Sequence, residues 1–171
     1  GLGGIGGSDR IAAGSNGSTG SVENRVAGDG WAMYAGSVGG NDVLEGGSNS
    51  GAGSVRNDLY GEGEELRSPD TIAGNDLLYG GNNLSSGVMD NHLLGDADVL
   101  GGRGGNDELH GGSNTGSGVL YNVIAGDANG LGGIGGSDRI AAGSNGSTGS
   151  VENRVAGDGW AMYAGSVGGN D

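Results

Sequence analysis

The chain contains no cysteine, no phenylalanine and no lysine, and aromatic residues make up only 4% of it. Without cysteine, neither disulfides nor thiolate metal sites hold it together, and its compartment is left open. All seven basic residues are Arg, set against 21 acids for a net charge of -14. No basic stripe exists to follow a phosphate backbone, which excludes nucleic acid as a partner. No apolar run is longer than a few residues, so membrane insertion through an apolar helix is not expected, and no secretory leader is visible in this stretch. Large apolar side chains are too scarce for an ordinary globular core. Low hydrophobicity with high charge also suits disorder, but the apolar residues recur at regular spacing, which a disordered tract has no need to keep.

What the chain has instead is glycine, 46 of 171 residues, and repetition. Residues 1–42 recur without a change as residues 130–171, an offset of 129. The reading is one full unit, 1–129, followed by the start of a second identical unit, 130–171. Identity that extends to loop residues points to an array of such units, of which this sequence is a window. Inside the unit a shorter period appears, starting at Gly6, Gly39, Ala73 and Gly104, with the next start at Gly135. Each sub-repeat carries two aliphatic anchors. The first follows an aspartate: Asp9 and Ile11, Asp42 and Leu44, Asp76 and Leu78, Asp107 and Leu109, with Asp138 opening the next. The second reads Asn-x-aliphatic-x-Gly-acid: Asn24 with Asp29, Asn57 with Glu62, Asn91 with Asp96, Asn122 with Asp127, Asn153 with Asp158. The step from first to second anchor is constant, whereas the return step varies, so the return arm is expected to be the loop side.

Around the second anchor the pattern has period two, as in Val22-x-Asn24-x-Val26, which predicts short strands. Gly, Ser and Asn runs between them suit tight turns with positive φ. No segment repeats apolar residues at helical spacing for two turns. Short strands, glycine turns and a period near 32 residues predict an all-β parallel solenoid of four coils per unit, advancing about 19 Å. Asn24, Asn57, Asn91, Asn122 and Asn153 then stack as an internal amide ladder. A tighter coil of about 16 residues is the alternative; the larger coil is preferred because GGSN follows only the first anchor and Gly-acid only the second.

The phrases GGNDVLEGG, AGNDLLYGG and GGNDELHGG share a D-x-L-x-G-G core, and GGSDRIAAG carries a weaker form. This resembles the nonapeptide G-G-x-G-x-D-x-U-x of the repeats-in-toxin family, U being a large aliphatic residue. The resemblance implies a β-roll whose turns bind calcium, in a protein secreted by a bacterium, with Asp9, Asp42, Asp76, Asp107 and Asp138 at the family's calcium-binding positions. Family arrays run nonapeptides in tandem, whereas here long Ser/Asn/Gly arms separate them.

Independently of that resemblance, stacking at ~4.8 Å would put these aspartates in one column and Asp29, Glu62, Asp96, Asp127 and Asp158 in another. Unit charges at that spacing repel by roughly 1 kcal/mol in water and about 3.5 kcal/mol at an effective dielectric of 20. Calcium relieves such crowding, because it accepts six to eight oxygen ligands in flexible geometry. The alternative is a set of turn-forming acids that stay hydrated. His92 and His110 sit at unrelated positions with no recurring nucleophile beside them, so no enzyme is expected. Trp31, Met33 and Tyr34 read as a local apolar plug or a contact with a neighbouring chain, and GEGEELRSPD as a bulging acidic loop around Pro69.

These features lead to the expectation of a structural protein, extracellular or on the cell surface: a calcium-stiffened filament, surface-layer or sheath strand, or adhesin stalk. Its partners would be copies of itself, end to end or side by side. The alternatives are a secretion and folding module of a toxin or hydrolase, or an ice- or glycan-binding solenoid, although Thr19, Thr71 and Thr115 are scattered and repeated surface aromatics are lacking. No capping segment is visible, which suits part of something longer or a head-to-tail polymer.

Overall fold

A computed structural model describes residues 3–171; Gly1 and Leu2, which open the repeat unit, lie outside the described residues. Among the described residues there are fourteen strands and no helix: β1 Arg10–Ala12, β2 Ser21–Ala27, β3 Val43–Glu45, β4 Ser54–Tyr60, β5 Gly63–Leu66, β6 Leu77–Tyr79, β7 Val88–Leu94, β8 Ala97–Leu100, β9 Glu108–His110, β10 Val119–Ala125, β11 Ala128–Leu131, β12 Arg139–Ala141, β13 Ser150–Ala156 and β14 Gly159–Met162. Every strand pairs in parallel with its equivalent one coil away. The strands thus stack into two five-stranded sheets, β1-β3-β6-β9-β12 and β2-β4-β7-β10-β13, and a four-stranded sheet β5-β8-β11-β14.

The chain is therefore a parallel β-solenoid. The second sheet sets its register, running Asn24↔Asn57↔Asn91↔Asn122↔Asn153. The steps are 33, 34, 31 and 31 residues, so the large coil holds and the 16-residue coil does not. We number the coils one to five, residues 9–41, 42–75, 76–106, 107–137 and 138–170.

The third sheet corrects the expectation of a loop side. The return arm carries a strand in coils two to five, and in coil one Ala32 bridges Glu65. The acidic segment GEGEELRSPD is not a bulge throughout, because Gly63–Leu66 within it is β5. Its aliphatic row, Leu66, Leu100 and Leu131, is fully buried, and Met33 and Ala73 pack with it. Of the proposed Trp31, Met33 and Tyr34 plug, only Met33 is buried. The first anchors meet the second across the coil in a second cluster, Leu44, Leu59, Leu78, Leu93, Leu109 and Ile124. A third small cluster is built on Val55, Met89 and Leu120. The core is a narrow apolar thread with one or two side chains per coil at each layer.

Asparagines turn the corners. Asn57 Nδ2 donates to Asn91 Oδ1 at 2.8 Å and to the Gly47 carbonyl at 2.9 Å, while its Oδ1 accepts from Asn24 Nδ2 and from the Gly47 N–H. The amide ladder therefore exists and does more than stack, because it ties the chain leaving the first sheet to the second. A second asparagine row, Asn16, Asn49, Asn83, Asn114 and Asn145, forms parallel bridges between the same corners. Each donates to the carbonyl four residues on, for example Asn83 to Gly87 at 2.8 Å.

Glycine has a different job from the one its turn propensity suggests. Among the described residues only Gly36 and Gly165 have positive φ. Elsewhere the constraint is space: a Cβ on Gly74 or Gly105 would lie 1.5 Å from the carbonyl oxygen of the equivalent glycine one coil earlier. Stacking at the strand spacing leaves no room for a side chain at such corners.

Candidate metal centre

Each aspartate of the first column begins a coil, just before a short strand of the first sheet. Its Oδ1 accepts the backbone N–H of the aspartate one coil earlier: Asp42 from Asp9 at 2.6 Å, Asp76 from Asp42 at 2.7 Å, Asp107 from Asp76 at 2.7 Å, Asp138 from Asp107 at 2.8 Å, Asp171 from Asp138 at 3.0 Å. One carboxyl oxygen thus takes the part of a main-chain carbonyl in the ladder, and the column is locked in register. The acid of the second column, at the turn between the second and third sheets, accepts the N–H of the glycine two residues before the next first-column aspartate. Asp29 takes Gly40 at 2.7 Å, Asp96 takes Gly105 at 3.0 Å and Asp127 takes Gly136 at 2.6 Å; Glu62 pairs with Gly74 and Asp158 with Gly169 in the same way. These bonds bring the two columns face to face inside the coil.

All ten residues expected at the site therefore stand in the two columns, joined by Asp171. Seven of them, Asp42, Glu62, Asp76, Asp96, Asp107, Asp127 and Asp138, are only 0 to 6% exposed. Asp29 and Asp158 are half-buried and Asp9 is exposed. Each of the seven buried carboxyls keeps one oxygen with no hydrogen-bond partner. The reading as hydrated turn acids fails for these seven.

A row of glycines borders the four of those oxygens that belong to the first column. A Cβ on Gly28, Gly61, Gly95 or Gly126 would lie 2.0 to 2.2 Å from the unpartnered Oδ2 of Asp42, Asp76, Asp107 or Asp138. The same Cβ would lie 1.6 to 1.9 Å from the carbonyl oxygen of the equivalent glycine one coil on. Carboxylate and peptide oxygens therefore crowd one spot that only glycine can border. The glycine of the Gly-acid motif was legible in sequence, but its part in shaping this cradle depends on the coil-to-coil spacing.

The electrostatics are severe. Burial pushes Asp42 up to about 6, with the charges of Asp29 and Asp9 adding to it and the Asp9 N–H opposing. Burial likewise raises Asp76 and Asp138 to about 7 and Asp127 to about 6. Glu62, Asp96 and Asp107 are driven well above the carboxylate range, by burial first and then by one another's charges and those of neighbouring column acids. No ion pair among the described residues involves a column carboxyl; the Arg side chains pair outside, as Arg56 does with Asp58. Burying one ionised carboxylate without a partner costs several kcal/mol, and a whole domain is stable by only about 5–15 kcal/mol. Seven bare charges therefore exceed what the fold can carry, and near neutral pH the columns must hold protons or cations.

The donor set fits a hard cation. Oxygen is the only ligand type, the free oxygens face inward, and two trios bring one oxygen from each member within 4.8 Å of one another: Asp9, Asp29 and Asp42, and Glu62, Asp76 and Asp96. Neither histidine is near. His110 stacks on Tyr79 at 4.9 Å and lies 2.9 Å from Glu108, and His92 faces Asp58, both on outer sheet surfaces. Comparison with protein-family models, curated proteins and solved structures finds no match, so the site has to be interpreted from its own geometry.

Proposed function

We propose that this is a structural repeat protein of the cell exterior, a filament, surface-layer or sheath strand, or stalk, whose solenoid is stiffened by calcium held between the two carboxyl columns. The observation that carries the reading is the run of seven buried carboxyls, each with one unpartnered oxygen, with glycine carbonyl oxygens crowded beside those of the first column. Calcium suits that donor set because it accepts carboxylate and carbonyl oxygens together in variable number. Bound there, it would cancel the charge that otherwise opposes folding, so that the chain orders where calcium is abundant and stays open where it is scarce. Asp42, Asp76, Asp107 and Asp138 would supply Oδ2, and Asp29, Glu62, Asp96, Asp127 and Asp158 the facing oxygens. The exact recurrence of 42 residues at an offset of 129 supports a mechanical rather than catalytic role, since it prolongs one cross-section along an axis. Copies of the chain are the partners such a rod would meet.

The test is to follow β-structure by circular dichroism at pH 7.5 as calcium is added to chelator-treated chain. The reading expects a cooperative gain of strand signal with bound ions counted by elemental analysis. Full strand signal in chelator, with no divalent ion present, would remove the metal from it.

A further inference from the structure

One place breaks the pattern of the columns. Along the second column Asp29, Asp96, Asp127 and Asp158 are aspartates, and only Glu62 is longer by a methylene. In the row that closes each coil beside that column, Gly6, Gly39, Gly104, Gly135 and Gly168 are glycines, and only Ala73 carries a methyl. The two departures coincide. Ile72 bridges Arg103, which sets Ala73 in register with Gly104, whose Cβ position lies 2.1 Å from Asp127 and 2.6 Å from Asp96. One coil earlier, the Cβ position on Gly39 lies 2.6 Å from Glu62. Ala73 therefore occupies the row between Glu62 and Asp96.

All five glycines of that row are half-exposed. Ala73 is buried, and its methyl joins the apolar cluster of Met33, Leu66, Ala97 and Leu100. Behind it stands the one trio whose members are all buried: Glu62 Oε2, Asp76 Oδ2 and Asp96 Oδ2 are each without a partner, and the three side chains bring oxygens within 4.8 Å of one another. Three buried carboxylates hold a divalent ion more strongly than the trio of Asp9, Asp29 and Asp42, of which only Asp42 is buried, because charge interactions strengthen as the surroundings dry. An ion leaving past a methyl and its apolar neighbours also meets a barrier that a bare glycine does not offer.

We propose that Glu62, Asp76 and Asp96 form one closed cation site in each 129-residue unit, sealed by the Ala73 methyl, whose ion leaves far more slowly than ions at the glycine-bordered positions of the same columns. The inference rests on the reading of the columns as calcium sites and adds an inequality among them: most ions respond to surrounding calcium, and one per unit is retained.

The experiment loads the whole chain with calcium, counts the ions, and mixes it with excess fluorescent chelator while release is recorded. The expected trace has a fast phase and a slow phase about tenfold or more slower, the slow phase amounting to one ion per chain. Ala73→Gly should move that ion into the fast phase without changing the ion count, and Glu62→Gln should remove it from the count. Ala73→Gly deletes only a methyl, so it decides the matter even if Glu62→Gln does not fold. Several ions leaving at one rate, or a slow phase unmoved by Ala73→Gly, would overturn the closed site and leave the calcium columns standing. A chain that binds no calcium would overturn both.

Discussion

At the scale of single residues, the column aspartates have two oxygens with two tasks. Oδ1 completes the backbone ladder and Oδ2 waits for a cation or a proton. Asp76→Asn separates the tasks, because the amide oxygen can still accept the Asp42 N–H, which Asp76 Oδ1 takes at 2.7 Å. Asp76 is raised from 3.8 to about 7 by burial, an order-of-magnitude cost of some 3 kcal/mol or more when ionised. In chelator at pH 8 the Asn variant should therefore be more stable than the parent, by roughly 2–3 kcal/mol, and in calcium it should be less stable; urea titrations in the two buffers measure both signs. Gly61→Ala tests the cradle. Its Cβ would sit 1.7 Å from the Gly95 carbonyl and 2.1 Å from Asp76 Oδ2, and backbone cannot yield as a side chain can, so a loss of about 3 kcal/mol or more is expected in either buffer. The aspartate-to-leucine spacing and the Gly-acid pair were visible in the sequence as regularities. That Gly61 touches Asp76 was not, because the contact joins residues in successive coils and exists only once the register is set.

At the scale of elements, the asparagine ladder was readable because Asn24, Asn57, Asn91, Asn122 and Asn153 occupy the inward position of a period-two strand, where an unsatisfied amide is costly. Asn91→Ala would strand the Gly81 N–H and carbonyl and take one of two bonds from each of Asn57 Nδ2 and Asn122 Oδ1. The expected loss is about 3–5 kcal/mol, measured as a lower urea midpoint, and calcium should not restore it. The third sheet is not legible in the sequence for a physical reason. Its strands, GEEL, ADVL, ANGL and GWAM, share only their last apolar residue, and their glutamates, glycines and asparagine read as turn or loop. Parallel pairing to the equivalent strands of adjacent coils holds them extended, a tertiary effect that local preference does not record. The second asparagine row, headed by GGSN in two coils, has a visible pattern in the sequence, but locally it reads as turn chemistry alone.

At the scale of the whole molecule, stability depends on how the columns are neutralised. A buried carboxyl whose folded pKa lies at about 6 or 7, above an unfolded value of 3.8, keeps its proton in the fold after the unfolded chain has released it. Without metal, stability is then fullest below about pH 4, falls as pH rises through the window to about 7, and stays low above it. With calcium the dependence reverses, because protons compete with the ion for the same oxygens and binding strengthens as pH rises. The most direct test of the account is the urea midpoint of the chain at a series of pH values from 4 to 8, once in chelator and once with calcium at about 1 mM. The account predicts two curves of opposite slope that diverge towards pH 8, the chelator curve falling and the calcium curve rising. Two superimposed curves, or a chelator curve that rises with pH, would show that the buried carboxyls do not govern the fold and would contradict it.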